Sequence, residues 1–142
     1  MPRPKWNDKY LIGIEQFDND HKHLMTLLNE IFDVFMSHKR NENRSQEILD
    51  ALTTYTTRHF SDEESWMRVR NYSRTKEHVQ DHQRFVQRLV ELKKNFQDGT
   101  GHLTLDIISF LKVWLLTHIA ISDADLGDLH REESNHARAI GL

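Results

Sequence analysis

The sequence predicts an all-α protein, folded as an up-down-up-down antiparallel four-helix bundle. Four long segments carry apolar residues at the three- and four-residue spacing of amphipathic helices. Both prolines, Pro2 and Pro4, precede these segments, so no proline interrupts a helix. No stretch shows the alternation of apolar and polar residues that is typical of a strand.

Each predicted helix has one apolar stripe that would face the bundle interior. The helices span about residues 18–37, 45–69, 74–96 and 102–121. In chain order, the stripes contain Leu24, Leu28, Ile31 and Phe35; Ile48, Leu52, Tyr55 and Trp66; Phe85, Leu89, Leu92 and Phe96; and Ile107, Leu111 and Trp114.

The predicted connections are short and have the composition of turns. Residues 38–44 form a polar run with two asparagines, and residues 71–73 read Asn-Tyr-Ser, which supplies a helix cap. Residues 98–101 read Asp-Gly-Thr-Gly, a helix stop. Short connections place consecutive helices antiparallel to each other.

Length and composition predict one domain, with an N-terminal arm at residues 1–17, the bundle at 18–123 and a tail at 124–142. A hydrophobic content of 37% and a charged content of 29% are typical of a globular chain. The net charge of −3, without a basic stripe, argues against nucleic-acid binding. The absence of cysteine excludes disulfides, thiolate ligands and a cysteine nucleophile.

The N-terminal residues lack the apolar run of a signal peptide, and no segment of the sequence approaches transmembrane length. We therefore expect a cytoplasmic monomer without a membrane partner. In the tail, a weak apolar stripe is expected to pack on the bundle; it consists of Leu126, Leu129, Ala137 and Ile140.

Seven side chains of the types that bind metals continue the apolar stripes of the four helices: His21, His59, Glu63, His78, His82, His118 and Asp123. In an antiparallel bundle they all fall at the same end, roughly 16 to 19 residues from the opposite loops, or about 25 Å at the helical rise. A match in both face and depth predicts a buried metal site, because so many unpaired polar groups would be costly in a core.

Asp123 follows His118 by five residues, a step that rotates roughly 140° on a regular α-helix. The fourth helix is therefore expected to loosen or end between these residues, so that the carboxylate can turn inward. The remaining histidines, His23, His38, His102, His130 and His136, are expected to be solvated. Asp62 and Glu64 lie off the stripe and are also expected to be exposed.

Imidazole and carboxylate ligands favour iron, manganese or zinc over calcium and magnesium. Seven ligands, two of them shared carboxylates, suit two ions better than one zinc ion with four ligands. Around the predicted site lie four apolar residues, Phe60, Trp114, Leu115 and Ile119, which would form a dry pocket. No further acid, base or nucleophile lies on the inward stripe, which favours binding over turnover.

The chain resembles the bacterial hemerythrin-like proteins over about residues 6–125. The matching segments are Gly13-Ile14, the run from Asp18 to Lys22, the run from His59 to Glu64, His78-x-x-x-His82, and the run from Trp114 to Ile119 with Asp123. Two features depart from the family. Asp20 stands where bacterial members usually carry glutamine, and the charged tail after Leu126 is not required by the family core.

This resemblance implies a non-haem di-iron centre that binds dioxygen reversibly, for oxygen storage or delivery. His78, His82 and His118 would hold one iron, while His21 and His59 would hold the other and leave it an open position. Glu63 and Asp123 would bridge the two ions together with an oxo or hydroxo group. Two alternatives remain open: an oxygen sensor or signalling module, and a di-iron oxidase or peroxidase.

Overall fold

The computed structural model describes residues 3–37, 41–99 and 103–141. Four helical rods run antiparallel in chain order. The first three are α1 (Glu15–Met36), α2 (Glu42–Val69) and α3 (Thr75–Asp98). The fourth rod is continuous and consists of α4 (Leu105–Thr117), a π-helical turn (His118–Asp123) and α5 (Ala124–Ala139). The predicted all-α four-helix bundle is confirmed.

Local capping explains where several of these helices begin and end. The Asn41 side chain accepts a hydrogen bond from the Arg44 backbone N–H at the start of α2, and Thr104 does the same for Ile107 at the start of α4. After α2, Asn71 takes a positive φ of 51°, which closes the helix as an αL cap. The turn at 38–44 and the stop at 98–101 fall partly outside the described residues, as do His38 and His102.

The last rod is longer than the sequence predicts. The fourth helix is expected to end near residue 121, yet it continues to Ala139. Of the tail residues expected to pack on the bundle, Leu126 is fully buried and Leu129 and Ala137 are half-buried, but Ile140 is 56% exposed. The weak stripe therefore packs at its start and reaches solvent at its end.

The continuous rod Leu105–Ala139 is also the one helix, among the described residues, that is long and apolar enough to cross a membrane by length and composition. This corrects the expectation that no segment approaches that length. Core helices of globular proteins meet the same criterion, and here Ile107, Ile108 and Leu111 lie in the bundle core. The helix is accordingly explained by its packing within the bundle.

Two apolar clusters divide the interior along the bundle axis. The larger cluster fills the middle of the bundle and the end where α1 finishes and α2 begins. It includes Leu28, Leu52, Leu89 and Leu111. The smaller cluster lies at the opposite end of the bundle, where the N-terminal arm packs against the helices. It contains Ile12, Ile14, Phe17, Met67 and Leu126. On the first, second and fourth rods, His21, Glu63, and His118 with Asp123 lie between members of the two clusters.

Hydrogen bonds to Asp18 and a close backbone contact with Gly127 hold the arm against the bundle. The Asp18 carboxylate accepts hydrogen bonds from the backbone N–H groups of Ile12 and Gly13, at 2.8 Å and 3.1 Å. Gly13 has a φ of +87°, a conformation that favours glycine. The backbone of Ile12 lies directly on Gly127 of α5, where a β-carbon would stand 2.1 Å from the Ile12 carbonyl oxygen.

Candidate metal centre

The structure brings all seven predicted residues into one buried cluster. The four rods contribute His21; His59 and Glu63; His78 and His82; and His118 and Asp123, in chain order. None of the seven is more than 5% exposed. The seven side chains therefore lie on inward faces and at the same depth in the bundle, as the helical periodicity predicts.

The cluster divides into two overlapping groups that share both carboxylates. One group consists of His78, His82 and His118 with Glu63 and Asp123, and the other of His21 and His59 with the same two carboxylates. Within each group, the candidate ligand atoms all lie within 4.8 Å of one another. Such an arrangement suits two cations with bridging carboxylates, and it gives the second cation one protein ligand fewer.

Asp123 spans the two groups through its separate oxygens. Its Oδ2 lies 3.0 Å from His21 Nε2, while its Oδ1 lies 3.1 Å from Nε2 of both His78 and His118. Glu63 is placed similarly, since its Oε1 is 3.0 Å from His59 Nε2 and its Oε2 is 3.9 Å from His78 Nε2.

The π-helical turn explains how Asp123 reaches the interior. A π-helix bonds residue i to residue i+5, so residues five apart stack along one face. The turn begins at His118 and ends at Asp123, and both side chains are buried. The expectation that the helix loosens between these two residues is confirmed.

The unpaired polar atoms of the cluster fit bound cations. Within the described part of the chain, neither oxygen of Glu63 or Asp123 has a hydrogen bond of acceptable geometry, and the same holds for His21 Nδ1 and His78 Nε2. Buried polar groups in proteins are almost always satisfied. Two pairs of imidazole nitrogens also face each other at 3.1 Å: those of His21 and His59, and those of His82 and His118. Cations bound between these nitrogen and oxygen atoms would supply the partners that they lack.

Burial and close charged neighbours shift the pKa values of four residues in the cluster. Burial and the nearby Asp123 carboxylate raise the pKa of Glu63 well above its usual range. Burial opposes ionisation of Asp123, but the His118 charge and the close approach of the His21 and His78 imidazoles hold its pKa well below the usual range. Although burial acts against it, contact with Asp123 and Asp81 raises the pKa of His118 to about 10. Burial and neighbouring imidazoles lower the pKa of His82 to about 2.

Three further carboxylates hold the outer nitrogens of the histidines. His59 Nδ1 lies 2.8 Å from Asp20, His82 Nδ1 lies 2.9 Å from Glu64, and His118 Nδ1 lies 2.7 Å from Asp81. An outer carboxylate fixes the proton on Nδ1 and leaves the Nε2 lone pair directed at the metal. These contacts therefore orient three imidazoles for coordination.

Sequence reasoning missed part of this outer ring. Glu64 was expected to be exposed, but its side chain is only 20% exposed because it packs against His82. Asp62 is also half-buried rather than exposed, and it accepts a hydrogen bond from Gln16. Asp81 was not singled out at all. A usable signal exists, since Asp20, Glu64 and Asp81 each directly adjoin a predicted ligand in sequence.

Asp20, the departure from the family pattern, is buried and well bonded. Besides His59, its carboxylate accepts a hydrogen bond from the Tyr55 hydroxyl at 2.9 Å and one from Arg58 at 3.2 Å. Burial would raise its pKa, but these contacts, with His59 foremost, hold the pKa below the usual value. An ionised carboxylate therefore faces His59 at neutral pH.

The four predicted pocket residues surround the cluster unevenly. The Phe60 ring stacks on His82 with centroids 3.9 Å apart, and Trp114 stacks on His118 at 4.5 Å. Both contacts are to the group with three histidines. Leu115 and Ile119 are buried, each 3% exposed.

Among the other histidines, His23 and His136 are exposed as expected, but His130 is half-buried and its Nδ1 lacks a partner among the described residues.

Comparison with known proteins agrees with this geometry. The family described as the Hemerythrin HHE cation binding domain matches residues 12–129. The chain is 31% identical to the bacteriohemerythrin of Methylococcus capsulatus over 102 residues, covering 72% of this chain and 76% of that protein. It is 29% identical to the bacteriohemerythrin of Pseudomonas aeruginosa PAO1 over 126 residues, covering 89% and 80%.

Solved structures agree as well. A crystal structure of wild-type hemerythrin superposes with a TM-score of 0.80 at 26% identity, covering 87% of this chain and 95% of that one. A variant of hemerythrin with one leucine replaced by alanine gives a TM-score of 0.81, also at 26% identity, with coverages of 90% and 97%. Family match, fold and buried cluster together show that this chain belongs to the hemerythrin family.

Proposed function

We propose that the protein binds dioxygen reversibly at a di-iron centre, in oxygen storage or delivery. The observation that carries this proposal is the pair of buried groups sharing Glu63 and Asp123. His78, His82 and His118 would hold one iron, and His21 and His59 the other, which keeps a position free for oxygen. When bound, the two ferrous ions would supply one electron each to dioxygen.

The surroundings of the cluster support binding rather than turnover. The aromatic and aliphatic residues Phe60, Leu115 and Ile119 are almost completely buried and would exclude water from the site. The acids nearest the cluster are committed to histidines: Asp20, Glu64 and Asp81 each face an Nδ1 atom. The absence of a nucleic-acid or membrane partner, the cytoplasmic location and the monomeric state stay predictions.

Metal analysis combined with absorption spectra tests the proposal. The purified protein, reconstituted with iron without oxygen, is expected to hold two irons per chain. It should then gain a visible charge-transfer band on aeration and lose it on oxygen removal, over repeated cycles. Steady release of peroxide, or consumption of a reducing substrate, would instead identify an oxidase or peroxidase. Failure to bind two irons would exclude the di-iron assignment.

Leu115 is expected to protect the oxygenated form. Its side chain is buried in the core three residues before His118, so its loss would open a cavity near the cluster and admit water. Autoxidation of Leu115→Ala, followed as decay of the oxygenated absorption band, is expected to be several-fold faster than in the parent. Leu116→Ala, at the half-buried neighbouring position, is the control. Equal rates for Leu115→Ala and the parent would remove this role.

Metal uptake is expected to release protons at neutral pH. The pKa of His118 is raised to about 10 in the metal-free protein, so this imidazole is charged at pH 7 and must lose a proton to bind a metal. Metal affinity should therefore rise with pH toward about 10 and fall in acid. Titration with ferrous ion in weakly buffered solution, with a pH indicator, measures the release. His118→Ala should release at least one proton fewer; equal release would contradict this assignment.

A further inference from the structure

A cavity of about 560 Å³ opens on the outside of the bundle between the start of α3 and the end of α4. We call it the lateral cavity. One wall carries the apolar residues Phe110, Val113 and Trp114 of α4 and Ile121 of the π-helical turn, with the polar residues Thr117, Ser122 and Asp125 between and beyond them. Its α3 wall is charged, formed by Glu77, Asp81 and Arg84. This volume falls in the range of sites for small organic ligands.

The two walls offer unpaired surface to such a ligand. Val113 and Ile121 are 62% and 64% exposed, although both are large apolar side chains. Opposite them, the Arg84 charge acts on the neighbouring Asp81, whose pKa it helps to lower, but Arg84 makes no hydrogen bond to a residue that the structure describes. Exposed apolar side chains rimmed by free polar groups are typical of binding sites. A flat molecule with an apolar face and a polar edge would match both walls.

The lateral cavity reaches the candidate metal centre directly, because His78 and His118 are among its lining residues. Trp114 lines the cavity and also stacks on His118, with the two rings inclined by only 12°. Asp81, on the opposite wall, holds His118 Nδ1 at 2.7 Å. The Nε2 atom of the same imidazole lies within 3.1 Å of both Asp123 and His82. Trp114 and the two histidines thus connect the cavity to the buried cluster.

A second cavity of about 560 Å³ lies between α2 and α3 and lacks this combination. It reaches Phe60, which stacks on His82, but Phe60 is only 3% exposed and so offers little ring surface. Apart from Glu64 and His82, its polar lining consists of uncharged hydroxyl and amide groups. The lateral cavity is therefore the better site for an aromatic ligand.

We propose that the lateral cavity binds a planar aromatic two-electron donor, a reduced flavin-type ring, that returns electrons to the metal centre through Trp114 and His118. The flat ring would lie against Val113 and Ile121, beside Trp114, while its imide edge, which both donates and accepts hydrogen bonds, would meet Arg84 and Asp81. This inference rests on the proposed di-iron function, because it supplies the reductant that such a centre needs after oxidation.

The electron count of the two partners matches. If the oxygenated centre lost hydrogen peroxide instead of dioxygen, the two electrons already given to oxygen would leave with it, and both ions would be left ferric. The reduced ring loses two electrons and two protons when it becomes the oxidised ring. Each ferric ion takes one electron, and the protons pass to water at the open rim of the cavity. A donor that supplies both electrons from one site restores both ions.

Binding is tested first, with riboflavin as an uncharged probe and without any need for iron. Saturable quenching of riboflavin fluorescence by the metal-free and iron-loaded protein is expected. Val113→Asp places a charge on the apolar wall and should weaken binding at least about tenfold, which corresponds to about 1.4 kcal/mol. Val90→Asp, at an equally exposed apolar position on α3 outside the cavity, should bind like the parent. Circular dichroism checks that both variants are folded.

Reduction is tested second, by anaerobic mixing of the oxidised iron-loaded protein with reduced riboflavin. Val113→Asp should be reduced at least about tenfold more slowly than the parent and Val90→Asp. Dithionite, which needs no aromatic site, should reduce all three proteins at the same rate. Absence of saturable quenching in the parent, equal quenching by all three proteins, or equal reduction by riboflavin would each overturn the proposal. A protein that binds riboflavin but no iron would instead refute the proposed function.

Discussion

Replacement of His82 by alanine is expected to remove the metal from the group with three histidines. The iron content should fall from two ions per chain to one or fewer, and the visible charge-transfer band should disappear. Loss of a residue that merely supports a ligand typically weakens metal binding by roughly 10–100-fold. Loss of a donor atom itself should cost at least about 100-fold by the same comparison.

The position of His82 makes this effect large. Its Nε2 lies 3.1 Å from His118 Nε2 and 3.5 Å from Glu63 Oε1, so its loss leaves a gap beside a shared carboxylate. Its removal also frees Glu64 of its imidazole partner and Phe60 of its stacked ring. Iron analysis and absorption spectra of the purified variant measure the result. His136→Ala, at an exposed histidine of α5, is the matched control. Two irons and full colour in His82→Ala would refute its role as a ligand.

Replacement of Gly127 by alanine is expected to destabilise the fold by roughly 1–3 kcal/mol, the usual cost of forcing extra volume into a packed site. A glycine-to-alanine change within a helix ordinarily stabilises a protein, because alanine favours the helix by about 1 kcal/mol. The expected change in stability here has the opposite sign. The added β-carbon would meet the Ile12 carbonyl oxygen at 2.1 Å and the Ile12 β-carbon at 3.0 Å. Backbone atoms are poorly able to move away, so the arm must shift.

Urea unfolding of the metal-free protein measures this cost as a lower transition midpoint. Asp128→Ala, at the exposed neighbouring position, is the control and should change stability by no more than about 0.5 kcal/mol. The displaced arm would also disturb Ile12, Ile14 and Phe17 in the smaller apolar cluster. An unchanged or higher midpoint for Gly127→Ala would show that the arm does not need this close approach.

Helical periodicity was sufficient to predict the bundle and the convergence of the seven residues. The reason is geometric, since candidate ligands that continue an apolar stripe must face the interior in an antiparallel bundle. The five-residue step from His118 to Asp123 was also informative. Both side chains can face inward only if the α-helix loosens or ends between them, and a π-helical turn is what the structure contains.

Other features depend on contacts between helices, which a single sequence does not reveal. Asp20 reaches His59, and Asp81 reaches His118, across 39 and 37 residues. Their adjacency to ligands hints at such contacts but does not identify the partner. The extent of the last helix was missed for a related reason: α5 continues α4 without a break, although its exposed half has few apolar residues to reveal a helix.

The widened turn between His118 and Asp123 also sets the rotational phase of everything that follows it. A π-helical turn contains one residue more than an α-helical turn, so winding the same six residues as an ordinary α-helix would carry the chain further around the axis. All later side chains would then swing by roughly 100° about the axis. Leu126 would leave the smaller cluster, and Gly127 would no longer face Ile12. The wide winding of this turn is therefore under a double constraint, from the chemistry of the centre and from the packing of the amino-terminal segment.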